Sequence, residues 1–330
     1  MPSGGSSQRA WRVAAAFAAI YAIWGSTYLA IRVAIETLPP FLMAGVRFLI
    51  AGTVLHLLGR LRGDAAPKAA HIAPSILLGA LFFLVGNGGV VWAEQRVPSG
   101  LAALMVAVTP LWTTLFEWRG GGRAPSPWTG VGLVAGLAGV GMLVAPGELA
   151  PGRAALGGAV DVAGAAACML SSLGWSFASV LSGGLRLPRS PAIASSLQML
   201  AGGVLLVAAG LATGEGAHVA AHGFSLRSGL ALGYLVVFGS LVAFTAFTWL
   251  LRVTSPSRVA TCAYVNPVVA VFLGWALAGE RLTPRVLVAA AVIIGAVVLI
   301  ISTRRRGDEK GRGGEPEPTA SPLPSGRPAA

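Results

Sequence analysis

Charge is scarce in this 330-residue chain. Asp, Glu, Lys and Arg together make up 11% of it, where a soluble domain carries about a quarter. So few charges cannot cover a folded surface in water, so lipid must cover much of it. Cysteine is nearly absent. Cys168 and Cys262 lie in separate apolar runs, with neither a disulfide framework nor metal-ligand spacing, and read as buried, inert thiols. The four histidines are His56, His71, His218 and His222. The last two are spaced i,i+4 but sit in a loop without acidic partners, the pattern of solvated side chains. Nothing in the sequence asks for a metal or another cofactor. Acids are outnumbered, 12 against 24 basic residues, for a net charge of +12. A nucleic-acid footprint would gather those charges on one element; here they are spread over short loops, so nucleic acid is not an expected partner. No clustered nucleophile or acid–base set stands out either, and an enzyme is not expected.

What the chain does have is apolar length. Hydrophobic residues make up 55%, gathered in runs near the roughly 20 residues a helix needs to cross a bilayer. Ten spans follow: Trp11–Ala34, Phe41–Gly59, Ile72–Trp92, Val97–Trp118, Trp128–Ala145, Leu156–Leu181, Pro191–Thr213, Leu226–Leu250, Ser257–Ala278 and Thr283–Thr303. The fold class is an all-α membrane protein. Arg9 and Arg12 before the first run mimic a signal peptide, but no small-residue cleavage site follows, so this is a retained first helix. Residues 1–10 form an N-terminal segment, and 304–330, rich in Arg, Gly, Pro and Glu, a disordered tail by composition. One alternating set of loops holds Arg60, Arg62, Lys68, Arg119, Arg123, Arg186, Arg189, Arg252 and Arg258. The other is poorer, with Arg96, Arg153, Arg227, Arg281 and Arg285. The richer side belongs in the cytoplasm, which places both termini there.

The chain also resembles itself. A shift of about 157 residues lays Pro110 on Pro267, Gly122 on Gly279 and Pro127 on Pro284. A shift of about 150 lays Ala51-Gly52 on Ala201-Gly202, and Trp24 falls near Trp175. Each repeat, 11–146 and 156–303, holds five spans. An odd number turns the second copy upside down, the inverted repeat of many secondary transporters.

Four stretches carry a family resemblance: IWGSTYLAIRVAIETLPP at 23–40, AGVRFLIAG at 44–52, VGNGGVVWAEQRVPSGLAAL at 85–104 and TSPSRVATCAYVNPVVAVFLGWALAGE at 254–280. The sequence resembles the drug/metabolite transporter superfamily, specifically the EamA-type ten-helix exporters of bacterial inner membranes. The resemblance implies a multi-pass inner-membrane protein exporting amino acids, other metabolites or drugs. It departs from the related four-helix multidrug exporters, which use a glutamate in mid first span. Here that region reads Ile23-Trp24-Gly25-Ser26, so their proton-exchange mechanism does not carry over.

Candidate substrate-binding residues follow from cost and position. Arg47 lies about seven residues into the second span, where a charge is costly and points to function or to a structural partner. It either meets substrate or pairs with a carboxylate such as Glu94. Trp24 and Tyr28 share one face of the first span with Arg32, beside Ser26 and Thr27. Arg32, near the helix end, snorkels to the interface; the others line either a cavity or a helix seam. Asn87 and Glu94 share a face of the third span, among Gly86, Gly88 and Gly89; Glu94, at the outer edge of the span, also reads as a simply solvated side chain. Pro110 and Pro267, deep in spans four and nine, read as kinks around a central site or merely packed kinks; they free the carbonyls of Val106 and Ala263, which Thr109, Tyr264 and Asn266 are placed to satisfy. Trp175 joins them as the repeat mate of Trp24. The expected partners are a small-molecule substrate and the lipid bilayer; the oligomeric state is left unassigned. The reading is a secondary transporter that exports by alternating access, with an importer of a sugar or nucleotide-linked metabolite, or a passive channel, as alternatives.

Overall fold

Prolines and short polar side chains set the helix starts. The computed structural model describes residues 4–121, 124, 126–144, 161–217, 223–254, 259 and 262–312. Within these run α1 (Gly4–Ala34), α2 (Pro40–Leu61), α3 (Ala69–Ala93), α4 (Ser99–Arg119), α5 (Pro127–Val144), α6 (Val162–Ser182), α7 (Pro191–Ala212), α8 (226–253), α9 (Cys262–Ala278) and α10 (Pro284–Arg312). Seven of them have the length and apolarity to cross a membrane, and α5, α9 and α10 add shorter apolar stretches. Pro40 and Pro191 occupy the first turns of α2 and α7, where a missing N–H costs nothing. Asp161 Oδ1 accepts from Gly164 N at 2.7 Å to start α6, and Ser225 Oγ accepts from Ser228 N at 3.1 Å to start α8. Asp161 is thus a helix cap. The expected spans agree within a few residues wherever they can be compared, except that α1 begins at Gly4, ahead of Trp11, and the final helix runs past Thr303. Residues 145, 156–160 and 257, which bounded three of them, lie outside the described residues, as do His218 and His222. The final helix continues from Thr303 to Arg312; extending a formed helix through Arg and Lys needs no new nucleus.

The two halves end their helices alike. Left-handed glycines follow α2 and α7 at Gly63 and Gly214, and α4 and α9 at Gly121 and Gly279, the conformation a helix end reaches with least strain at glycine. Both halves also carry a π-helical turn, Ala80–Asn87 in α3 and Leu235–Val242 in α8, at equivalent positions.

Packing reveals the inversion. Gly45 meets Val207 and Gly203, Gly52 meets Leu200 and Met199, and Gly59 meets Ile193. Register falls along α7 as it rises along α2, so these repeat-related helices are antiparallel. Gly136 beside Ala296 and Gly139 against Ile293 give α5 and α10 the same relation. The remaining contacts exchange in pairs: α1 packs on α9 and α8 as α6 packs on α4 and α3. Glu215, just past α7, accepts from the amides of Phe41 and Leu42 at 3.2 and 2.8 Å, while Asp64, just past α2, accepts from Ser190 Oγ at 2.6 Å. Each acid reaches the start of the other repeat's helix. The fold is two inverted five-helix repeats. Large apolar side chains such as Ile50, Leu57, Trp128, Val134 and Phe272 point outward, a surface suited to lipid.

Candidate substrate cavity

Eight helices, all but α5 and α10, surround a cavity of about 210 Å³. Its walls are mostly aromatic and aliphatic: Trp24, Tyr28, Phe48, Phe83, Trp175, Met199 and Phe244. Phe48 and Phe83 lie 4.5 Å apart between ring centroids. Trp175 meets Phe82 edge-on at 4.9 Å. Trp24 stays oriented by donating from Nε1 to Gly239 O at 3.2 Å and packing on Phe247. Trp24 and Trp175 are repeat mates, so the pseudo-two-fold axis brings both tryptophans to one chamber.

Backbone irregularities supply the polar part of the wall. The π-helical turn of α3 presents Gly86 and Asn87, and that of α8 presents Gly239 and Ser240. Such turns are rare and cluster at functional sites. Asn87 Nδ2 donates to Phe82 O at 3.3 Å, and Ser171 Oγ donates to Gly86 O at 2.5 Å. Glycine suits the close approach of α6 here, since a Cβ on Gly86 would lie a tight 3.2 Å from the Trp175 ring.

Arg47 is the cation of the chamber. It is only 5% exposed, its Nε donates to Ser240 Oγ at 2.9 Å, and its guanidinium lies 4.8 Å from the Phe48 ring centre. No carboxylate pairs with it among the described residues, and none lines the chamber. The expected partnership with Glu94 is absent. Glu94 lies beyond the C-terminal end of α3, fully buried, and the charges within its reach are Arg32 and Glu280. Burial of Glu94 also overturns the reading of it as a solvated side chain: Arg32 at the end of α1, Cys168 of α6 and Glu280 just past α9 stand around it. The Arg47 position has no repeat mate of its own kind, since Leu197 stands at the equivalent place in α7.

Of the other candidates, Thr27, Tyr28, Thr109, Asn266 and Pro267 line the cavity; Ser26 and Pro110 do not. Ser26 faces α8, hydrogen-bonded to Ile23 O and Tyr234 Oη at 2.8 and 2.6 Å. Pro110 does not kink a continuous helix. The first part of α4 ends at Val106, and the second begins at Thr109 with Pro110 in its opening turn, the one place where proline fits without loss. Thr109 Oγ1 donates to Val106 O at 2.6 Å, and Ser176 Oγ to Thr109 O at 2.9 Å, so the break is satisfied from two sides. Pro267 does lie inside its helix. Its neighbour Asn266 has a buried Oδ1 without a partner. The side chain of Tyr264 lies outside the described residues. Sequence reasoning missed Phe48, Phe83, Met199 and Phe244 because apolar residues in apolar helices give no contrast between lipid and cavity. Ser171 and Ser240, polar and mid-span, were the available signal.

A second, polar hollow opens at the end of the bundle formed by residues 62–71 and 188–192, lined by Arg62, Asp64, Lys68, Arg189, Thr245 and Trp249. Thr245 follows Phe244 of the cavity wall directly, so α8 runs from one space into the other.

The two halves of the chain, residues 11–145 and 162–302, each match the EamA-like transporter family. The chain belongs to that family. It is 42% identical over 284 residues to an uncharacterized inner membrane transporter, YedA, of Escherichia coli K12, covering 86% of this chain and 88% of that one. It is 29% identical over 287 residues to an S-adenosylmethionine/S-adenosylhomocysteine transporter of Chlamydia trachomatis, covering 82% and 84%. A crystal structure at 21% identity shares the fold, with a TM-score of 0.61 over 89% of this chain and 99% of that one. This EamA-like chain is a membrane transporter, and the cavity between its repeats is the candidate substrate site.

Proposed function

We propose that the chain exports a small molecule bearing an anionic group and an apolar body, by alternating access about the central cavity. The observation that carries this is Arg47: a buried cation on the cavity wall with no carboxylate partner among the described residues. A charge at that depth is costly until something offsets it. A substrate carboxylate or phosphate would do so through the guanidinium fork, while Trp24, Phe48 and Trp175 take up an apolar body. An organic cation would meet Arg47 and find no carboxylate on the lining. S-adenosylmethionine and S-adenosylhomocysteine, for which one relative is named, each carry a carboxylate that a guanidinium fork would hold, beside cationic groups for which this lining offers no carboxylate.

The polar hollow carries three cationic side chains against one acid and lies on the side that the basic loops assign to the cytoplasm. It would concentrate anions at the mouth of the pathway and so supports loading from that side, with both termini in the cytoplasm of a bacterial inner membrane. Inside-out vesicles test the reading with a panel of small carboxylates, S-adenosylhomocysteine, S-adenosylmethionine and an organic cation. Saturable uptake accelerated by the same compound on the far side marks a carrier rather than a channel. Uptake of the cation in preference to every carboxylate would sink the anion reading.

A further inference from the structure

Glu94 presents a problem that the cavity does not explain. It is 0% exposed, and both carboxylate oxygens are buried without a hydrogen-bond partner. Its backbone carbonyl is occupied, accepting from the Arg32 guanidinium. Arg32 itself lies at the exposed end of α1. From α6, Cys168 lies within electrostatic reach of the carboxyl, and from α1, Tyr28 does so as well. From the end of α9 comes Glu280, a second acid, whose oxygens accept from Ser99 N, Ser99 Oγ and Gly100 N at 2.7, 2.7 and 3.0 Å. Glu280 therefore has a donor on each of its oxygens at the start of α4, while Glu94 has no donor at all.

The two acids sit in opposite environments, one supplied with donors and the other with none. An ionised carboxylate stripped of water and donors is strongly disfavoured and takes up a proton instead. Burial, reinforced by the Glu280 charge and opposed by Arg32, pushes Glu94 well above the usual carboxylate range.

We propose that Glu94 is a proton-binding site that holds its proton while the α1–α3–α4–α9 end of the transporter is closed and gives it up when that end opens. Opening admits water; the O–H bond of the acid breaks, the proton passes to that water, and the carboxylate left behind is solvated beside Arg32. Closing reverses each step. The release step rests on the alternating-access reading above, whereas the protonated state in the closed form does not. The closed form binds more protons, so it is favoured at low pH. That preference starts to fade above the ordinary glutamate value of about 4.3 and is lost progressively up to the raised value. Across that interval the opening equilibrium rises up to about tenfold per pH unit. Tyr28 lines the cavity as well as standing near Glu94, so the proton site and the substrate chamber share a side chain.

The test needs no substrate, so its failure is distinct from failure of the transport reading. Infrared difference spectra of the full chain in lipid should show the C=O stretch of a protonated carboxylic acid at pH 7. Glu94→Gln, neutral at every pH and close in shape, should remove that band. No band at pH 7, or a band that survives in Glu94→Gln, overturns the site. Amide exchange of the peptide spanning 94–104, corrected for intrinsic rate, reads the opening. Protection should fall with rising pH in the native chain and stay level in Glu94→Gln; matching profiles overturn the link to opening. If the Gln variant does not fold, Arg32→Gln on the exposed end of α1 replaces it. Without that cation the acid should keep its proton to higher pH, moving the band's titration upward, and an unmoved titration overturns the site.

Discussion

Arg47 draws its importance from what surrounds it. Ser240 accepts from its Nε, the guanidinium carbon lies over the Phe48 ring, and the cavity wall that Arg47 helps form holds no acid. Lysine at this place would keep the charge and lose both the fork and the bond to Ser240. Arg47→Lys should therefore reach the membrane at normal abundance and lose about tenfold or more in transport efficiency. Arg47→Ala should lose more. Flux and abundance measured on the same vesicles separate the outcomes. Unchanged flux in both variants removes Arg47 from the substrate site, and lost abundance in both makes it structural.

Helix packing in this molecule is set by glycine at the crossings, because lipid offers apolar side chains no reason to leave it and contact must come from close approach. Gly79 and Gly202 mark where α3 meets α7. A Cβ on Gly202 would stand 2.4 Å from Phe83 Cβ and 2.7 Å from Gly79 O, both on rigid atoms. Gly202→Ala should cost about 1–3 kcal/mol, the usual penalty of overpacking, seen as a drop of several degrees in the unfolding temperature of the detergent-solubilised protein. Gly295 lies in α10, where an added methyl group would meet nothing within 4 Å. Gly295→Ala should be neutral or slightly stabilising, since alanine is the better helix former. Equal effects from the two would mean that the α3–α7 crossing is not tight.

At the scale of the whole molecule, antiparallel pairing of α2 with α7 and of α5 with α10 requires the halves to be inverted, and the basic loops assign the ends. Reporter fusions after Gly214 and after Thr303 should report the outside and the cytoplasm respectively. The same side from both would break the scheme, since three helices, α8 to α10, separate the two positions. The cavity inherits this symmetry in part. Trp24 and Trp175 are repeat mates, as are Thr109 and Asn266, whereas Arg47 stands alone. A pseudo-symmetric chamber with one unmatched cation offers a single anchor between two related halves, which suits a carrier.

The sequence alone determined what depends on composition and spacing. Apolar run length gave the spans, scarcity of charge gave the lipid-facing surface, and matched prolines and glycines gave the repeat. The cost of a buried guanidinium singled out Arg47 before any contact was known. Tertiary structure decided everything that depends on which face meets which. Phe48 and Met199 line the cavity while Ile50 and Val204 face outward, and in an all-apolar helix no periodicity in polarity tells those faces apart. Pro110 read as a kink and proved to be a helix start, because a break two residues earlier lets α4 begin again. Glu94 read as solvated, or as the partner of Arg47, because its place at a helix end gave no hint that three other elements stand around it. Burial of a single group is a sum over distant segments, and only the packed chain carries out that sum.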